Sequence, residues 1–173
     1  MAYRKVNDEV YYVDGAVSML GPADLEFLQD RAGENSRRRS RLCMHTGPQE
    51  IVQEMFIVHP RGAYVRPHKH LGKPESFLVI DGDVDVVLFD DAGRVTRMVP
   101  MGPFASGKMF YYRLQEPVYH TLIIRSEYLF FKEVTSGPFK REENVFAPWA
   151  PGEDDIPGLN VFMDRLIKEK RNE

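Results

Sequence analysis

Short apolar runs, rich in β-branched and aromatic side chains, dominate the chain from about residue 40 onward and are separated by Gly, Pro or Asp. Regular spacing of such runs, with turn residues between them, is typical of an antiparallel sandwich or barrel. The pattern predicts strands at residues 51–58, 77–80, 84–89, 95–99, 109–114, 119–124 and 128–134. Hairpin turns are predicted at residues 90–93 and 81–83, where Asp and Gly separate neighbouring runs.

Helical patterns flank this β-rich region on both sides. Residues 10–13 predict a short N-terminal strand, and the sequence Gly-Pro-Ala-Asp at 21–24 predicts the start of a helix. Near the other end, Asn160 is predicted to cap a last helix with one apolar stripe. The Pro- and Gly-rich segment before that helix is predicted to wrap over the β-region as an irregular arm. The predicted fold is therefore mainly β, with short N- and C-terminal helices.

Length and composition narrow the class of protein. The 173 residues fit one domain, which we divide into a lead-in at 1–40, a barrel at 41–136, and a wrapping arm with its helix at 137–173. The chain is 43% hydrophobic and 28% charged, which is ordinary for a soluble globular protein. A formal net charge of −3 argues against electrostatic binding to nucleic acid or to a membrane surface.

The low cysteine content and the lack of a long apolar segment give two further expectations. Cys43 is the single cysteine, which excludes an intramolecular disulfide and any multi-cysteine metal site. The first residues do not lead into the apolar stretch of a signal peptide, and no apolar run approaches the length of a membrane helix. A cytoplasmic location is the default expectation.

The candidate chemistry lies in His68, His70, Glu75 and His120. In an extended segment, residues i and i+2 point to the same face, so the first two histidines can reach one metal ion together. A bend at residues 72–74 would bring Glu75 back beside them, and His120 at the start of a later run would supply a fourth ligand. Three imidazoles and one carboxylate suit a single divalent transition metal, namely Fe, Mn, Ni, Zn or Co, and exclude none of these.

The spacing of these residues is specific. Gly62, His68, His70, Glu75 and Gly82 match the fixed positions of the first cupin motif. The second cupin motif is kept in part: its histidine is present, but the preceding turn is Gln-Glu-Pro and Ile takes the place of the usual Asn. The chain thus resembles a single-domain cupin, which implies a jelly-roll barrel (a double-stranded β-helix) and, by analogy, a homodimer.

Further stretches, at residues 37–45, 64–70, 87–91, 132–139 and 146–151, are similar to the WbuC-type cupin-fold metalloproteins. This resemblance covers residues 36–151. It implies a metal-binding cupin for a small, sugar-like or acidic molecule, linked to bacterial surface-polysaccharide (O-antigen) biosynthesis. It does not imply a particular reaction.

Candidate substrate-binding residues are Arg66, Tyr64, Lys132, Arg39 and Arg41. The first two share the parity of the histidine ligands, so extended geometry would aim both into the barrel. A buried Arg66 needs either an anionic substrate or a structural carboxylate. Lys132 is either a substrate contact or an outward-facing charge, and the arginine cluster is either a solvated helix end or an anion site at the barrel mouth.

Other polar residues are assigned structural roles. His45 and His59 are predicted to be structural or surface histidines, since nothing in the spacing pairs them with the metal set. Tyr112 is predicted to pack in the barrel.

Three hypotheses for function remain open. The first is a metal-dependent enzyme, an isomerase or epimerase, or an oxygenase, acting on a small anionic molecule. The second is a non-catalytic or regulatory cupin that holds a small ligand. A 2-oxoglutarate-dependent oxygenase is less favoured, because its His-x-Asp/Glu pattern has a histidine, His70, in the carboxylate position.

Overall fold

The computed structural model describes residues 3–169, most of which lie in two β-sheets packed against each other. Single turns of 3-10 helix lie at Phe104–Ser106 and Arg141–Glu143. In chain order, the strands and helices are β1 Tyr3–Lys5, β2 Val10–Val13, α1 Pro22–Glu34, β3 Ser40–Cys43, β4 Val52–Pro60, β5 His68–His70, β6 Glu75–Asp81, β7 Val84–Phe89, β8 Val95–Met101, β9 Tyr111–Leu114, β10 Tyr119–Ile124, β11 Tyr128–Ser136, β12 Asn144–Phe146 and α2 Ile156–Glu169.

The strand order is that of a jelly roll. The seven-stranded sheet runs β1-β2-β3-β4-β11-β6-β9, and the five-stranded sheet runs β12-β5-β10-β7-β8. Within β4 to β11, the first four strands alternate between the sheets, and the last four return to pair with them in reverse order. This wrapping of eight strands into two four-stranded layers defines a jelly roll. The predicted mainly β jelly-roll fold is confirmed.

Three apolar clusters hold the layers together. The main cluster lies between the two sheets and includes Phe77, Leu129 and Leu122. A second joins the outer face of the five-stranded sheet to the arm and α2. A third joins the outer face of the seven-stranded sheet to α1. Because β10 is covered on both faces, all six of its residues are buried.

The sequence pattern identified most of the strands. Each of the seven predicted runs overlaps a strand, and the turn at residues 90–93 joins β7 to β8 as the predicted hairpin. The short strands β1, β3 and β12 were not predicted, and β12 lies within the arm expected to be irregular. Neither helix of the described residues has the length and apolarity that a membrane crossing requires.

The predicted cap of the last helix is wrong. Helix α2 begins at Ile156, so Asn160 lies inside it, and Asp155 Oδ1 accepts a hydrogen bond from the N–H of Gly158 at 3.0 Å. The Pro-Gly pair at 157–158 suggests a helix breaker. In the first turn, however, Pro is tolerated because the N–H it lacks would have no helical partner.

The turn at residues 81–83 is not a hairpin. Strand β6 pairs with β11 and β9, whereas β7 pairs with β10 and β8, so the turn carries the chain from one sheet to the other. Gly82 has a φ of +88°, and a Cβ there would lie 2.2 Å from the carbonyl oxygen of Tyr128. Turn composition indicates that the chain changes direction here, but it does not specify which sheet the following strand joins.

We expect Gly82→Ala to destabilise the protein by two additive effects. A left-handed backbone costs a non-glycine residue about 1–2 kcal/mol, and the contact with Tyr128 adds about 1–3 kcal/mol of overpacking. Urea unfolding would measure the loss. Gly107→Ala is the matched control, because its φ is +73° and nothing lies within 4 Å of the added Cβ. Equal losses in the two variants would contradict the role of the close contact.

Candidate metal centre and its cavity

The four predicted ligand residues meet at one point between the sheets. His68 and His70 lie on β5, and His120 on the adjacent β10 is the register partner of His68. Glu75 is the first residue of β6 and comes from the opposite sheet. One ligand atom from each of the four side chains lies within 4.8 Å of the others.

Each histidine is oriented by a hydrogen bond from its Nδ1. His68 donates to the carbonyl oxygen of Arg66 at 2.9 Å, and His120 donates to that of Val118 at 3.0 Å. His70 donates to Oδ1 of Asn144 at 2.7 Å. Carbonyl oxygens only accept, so the proton of each neutral ring is held on Nδ1 and the lone pair on Nε2. This is the arrangement found in metal-binding histidines, whose second nitrogen is fixed by an outer partner.

Glu75 connects the histidines to the rest of the site. Its Oε2 lies 2.6 Å from Nε2 of His70, and its Oε1 lies 3.6 Å from Nε2 of His120. The hydroxyl of Tyr112 donates a hydrogen bond to Oε1 at 2.9 Å. The side chain of Glu75 is only 3% exposed, so it meets these partners with almost no water around it.

The electrostatics of the cluster keep its components in different charge states. Burial alone would raise the pKa of Glu75, but His120 and His70 outweigh that effect and hold its pKa well below the usual range. Burial opposes a charge on His120, yet Glu75 raises the pKa of that histidine above its ordinary value. Burial, reinforced by the two neighbouring histidines, lowers the pKa of His68 to about 3. The site thus combines a carboxylate with a neutral His68 imidazole.

The donor set fits a divalent transition metal ion. It offers three imidazole nitrogens and one carboxylate oxygen, and the Nδ1 hydrogen bonds leave Nε2 of each ring for coordination. Such a set leaves room for water or substrate on a six-coordinate ion. Fe, Mn, Ni, Zn and Co all remain compatible with these donors.

The cluster lies on the wall of a cavity of about 580 Å³ between the sheets. This volume is in the range of small-molecule sites. Apolar side chains from both sheets form much of the lining, including Ile57, Phe131 and Leu122. The cavity therefore suits a small molecule with an apolar face and a few polar groups.

Five arginines line this cavity, and two of them are neutralised. Arg39 Nε lies 2.7 Å from Glu9 Oε2, and Arg37 Nη2 lies 2.7 Å from Glu153 Oε1. Arg39, predicted as a substrate contact, therefore lines the cavity with its charge already paired. The other three arginines are Arg41, Arg66 and Arg141.

These three arginines have no ion pair among residues 3–169. Arg66 Nη2 contacts the carbonyl oxygens of Ala147 and Ala150 at 3.4 and 3.5 Å, and its Nε is enclosed without a partner. Its guanidinium lies 5.0 Å from the ring centre of Phe146. Since no described carboxylate pairs with Arg66, the structural ion pair considered for it is not present.

Tyr64 and Lys132 do not line the cavity: the inward orientation expected of Tyr64 is not found, and Lys132 takes the outward-facing of its two alternatives. Tyr64 packs in the cluster on the outer face of the five-stranded sheet and donates a hydrogen bond to the carbonyl oxygen of Pro151 at 3.0 Å. Its segment is not a regular strand, so alternation does not hold there. Lys132 forms an ion pair with Glu54 on the outward face of β11, since its neighbours Phe131 and Glu133 face inward.

Several cavity residues were missed or misjudged from sequence. Tyr112 and Asn144 contact the ligand residues directly. His59, predicted to be structural, and Glu133 both line the cavity, and burial followed by the charge of Glu75 raises the pKa of Glu133 to about 7. The inward parity of Glu133 with Phe131 was a usable signal. No signal marked Asn144, because β12 was not predicted.

Comparison with known protein families gives one match. Residues 20–101 match a family model described as a domain of unknown function, DUF6016. The matched stretch includes His68, His70 and Glu75 and ends before His120. No curated protein sequence matches the chain.

Several solved structures are similar over part of the chain. A sugar phosphate isomerase from a cupin superfamily, from Silicibacter pomeroyi, is 21% identical, with 57% of this chain and 59% of that chain covered and a TM-score of 0.46. Lactobacillus farciminis oxalate decarboxylase is 18% identical over 57% of this chain and 28% of its own, with a TM-score of 0.44. A protein from Acidithiobacillus ferrooxidans is 13% identical with a TM-score of 0.42, and the chain spans about half of its length (51%).

The jelly roll follows from the strand order. Together with the four donor residues that meet at one point, this fold defines a jelly-roll protein with a candidate mononuclear metal centre.

Proposed function

We propose that this chain is a mononuclear metal-binding cupin that acts on a small anionic, sugar-like molecule in the cavity between its sheets. The observation that carries the proposal is the meeting of four donor groups within 4.8 Å of one another on the cavity wall. A metal ion bound there would supply Lewis-acid polarisation of a substrate oxygen. His68, His70, Glu75 and His120 are the residues that would hold it.

The protein's own side chains would orient the substrate. Arg66 directly precedes the segment that carries the histidines, and its guanidinium has no carboxylate partner among the described residues. Its planar donors match a carboxylate or a phosphate. Arg141, close to Asn144 in the chain and also without an ion pair in the described part, would add positive charge at this end of the cavity. An anionic group of the substrate beside the candidate metal centre would neutralise the charges of both arginines.

A non-catalytic ligand-binding cupin is the alternative, since the same contacts would hold a ligand without converting it. Incubation of the metal-loaded protein with candidate sugars and sugar acids separates the two, because only an enzyme consumes its ligand. An oxygenase would in addition consume O₂. The WbuC-type resemblance and the link to surface-polysaccharide biosynthesis stay predictions, and the sugar-like character of the ligand follows from that resemblance.

Metal content is the direct test of the proposal. Protein purified without chelators is expected to hold about one divalent transition metal ion per chain, and His68→Ala is expected to lose most of it. Elemental analysis by mass spectrometry measures both. His45→Gln is the matched control, because His45 is also buried but bonds to the backbone of Glu54 away from the cluster.

Two results would count against the proposal. The first is wild-type protein that holds no stoichiometric metal even after incubation with the candidate ions. The second is a His68→Ala variant with unchanged metal content, which would place the metal elsewhere.

A further inference from the structure

His59 and Arg41 form a polar wall of the cavity that the candidate metal centre does not use. His59 lies on β4 and Arg41 on the neighbouring β3, and both line the cavity. Arg41 is the register partner of Ile57, and His59 follows Ile57 by two residues, so all three face the same side of the sheet. Diagonal neighbours of this kind are within reach of a long side chain.

This wall is remote from Glu75. Gln53 on β4 is level with Thr135 on β11, which is level with Glu75 on β6. His59 lies six residues further along β4 than Gln53, which corresponds to roughly 20 Å of strand. Arg41 is level with Ile57, four residues from Gln53 or roughly 13 Å of strand. His59 therefore marks the far end of the cavity, and Arg41 lies between it and the level of the candidate metal centre.

His59 is a buried polar group without a partner. The residue is 6% exposed, its Nδ1 is fully enclosed, and neither ring nitrogen forms a hydrogen bond with another residue in the range 3–169. Its ring stacks on Phe131 with centres 5.6 Å apart, which fixes its orientation. Buried polar groups in native proteins are nearly always satisfied, so an unpaired imidazole on a cavity wall indicates a ligand or a water molecule there. Because Nδ1 is enclosed, Nε2 is the ring nitrogen that a group in the cavity can reach. A neutral imidazole suits a hydroxyl group, which can both donate and accept.

Arg41 supplies a solvent-exposed positive charge beside this histidine. Its guanidinium has no ion pair and no side-chain hydrogen bond within the described chain, although Arg37 and Arg39 on the same rim are both paired with carboxylates. Acidic side chains are therefore available at the rim but are engaged by other arginines. Glu133, which also lines the cavity, is close enough for the charge of Arg41 to lower its pKa, but the two side chains form no ion pair in the described chain.

We infer that this wall is a second recognition subsite, in which Arg41 binds an anionic group and His59 binds a hydroxyl group of the same ligand. The ligand is thus an elongated, hydroxylated anion whose other end lies at the candidate metal centre. Only the position of that other end rests on the proposed function. The anionic group is a carboxylate or a phosphate, since the guanidinium fork matches either.

Calorimetric titration of the His68→Ala protein tests the subsite without the metal centre. The probes are gluconate and glucose 6-phosphate, which distinguish the carboxylate from the phosphate, and hexanoate, which has the chain length of gluconate without its hydroxyl groups. We expect at least one hydroxylated probe to bind at millimolar concentration and more tightly than hexanoate. Adding Arg41→Gln is expected to weaken the bound hydroxylated probe about tenfold or more.

The role of His59 has a separate readout. His59→Phe is expected to abolish the preference for gluconate over hexanoate, because it removes the hydroxyl partner and keeps a ring to stack on Phe131. Arg37→Gln is the matched control: it removes the same charge from the same rim, but Arg37 is already paired with carboxylates, so probe affinity should fall less than with Arg41→Gln.

The inference is overturned if no hydroxylated probe binds, if Arg41→Gln has no larger effect than Arg37→Gln, or if His59→Phe keeps the preference for gluconate. Because Arg41 is exposed, its substitution leaves the core intact and the test interpretable. Failure here with normal metal content in the wild type would leave the proposed function standing. If the wild type held no metal but the probes bound as expected, the subsite would stand and the proposed function would fail.

Discussion

Glu75→Gln is expected to reduce the affinity for divalent metal by about 100-fold or more, because even outer partners of metal ligands contribute about 10–100-fold. Glutamine keeps the size of the side chain and removes the one negative charge shared by His70 and His120. The same substitution should lower the pKa of His120, since Glu75 is what raises it against the effect of burial. Competition titration with a chelator measures the affinity, and NMR of the histidine ring follows the pKa.

Glu133→Gln is the matched control for this prediction. Glu133 is a carboxyl on the lining of the same cavity but lies outside the four-residue cluster. Its substitution should leave one metal ion per chain. If Glu75→Gln retained wild-type affinity, or if Glu133→Gln lost as much, Glu75 would not be a ligand.

Acid is expected to destabilise the metal-free protein through His59. Burial, reinforced by the charge of Arg41, lowers the pKa of His59 from 6.5 to about 4. Between these values the unfolded chain binds a proton that the native state does not. Stability is therefore unaffected above pH 6.5 and falls as the pH drops toward 4, by about 1.4 kcal/mol per pH unit and about 3 kcal/mol in total.

The contribution of this one histidine can be isolated by difference. The free energy of unfolding of wild-type protein and of His59→Gln would be measured by urea titration between pH 7 and pH 4, both in chelator. Between pH 7 and pH 4, the wild type should lose about 3 kcal/mol more of its free energy of unfolding than His59→Gln. A difference between the two proteins that does not vary with pH would show that His59 is not held neutral by burial.

The candidate metal set could be predicted from sequence because its residues sit at fixed spacing around short strands. His68 and His70 share a face by alternation, and a two-residue offset needs no knowledge of the fold. The partners that orient the rings could not be predicted in the same way. Asn144 reaches His70 only because β12 pairs with β5, and nothing in the local pattern of residues 144–146 indicates a strand.

The candidate substrate-binding residues show where the alternation of side chains along a strand no longer predicts which way a side chain points. It correctly separates Glu133 from Lys132 on the regular strand β11. It fails for Tyr64, because residues 63–67 are not in a strand and the side chain turns outward to Pro151. For Arg39 the sequence left open a solvated helix end or an anion site at the barrel mouth. The structure places Arg39 on the cavity lining and pairs it with Glu9, 30 residues earlier in the chain.

By itself the sequence determined the main strands of the jelly roll and the four residues that meet at the candidate metal centre. These depend on local periodicity and on spacing within or next to single strands. Only the tertiary structure decided which strand follows the turn at Gly82, which arginines keep an unpaired charge, and that His59 is buried at the far end of the cavity. Those features depend on which sheet each strand joins, and long-range pairing of this kind is set by the packing of the whole jelly roll.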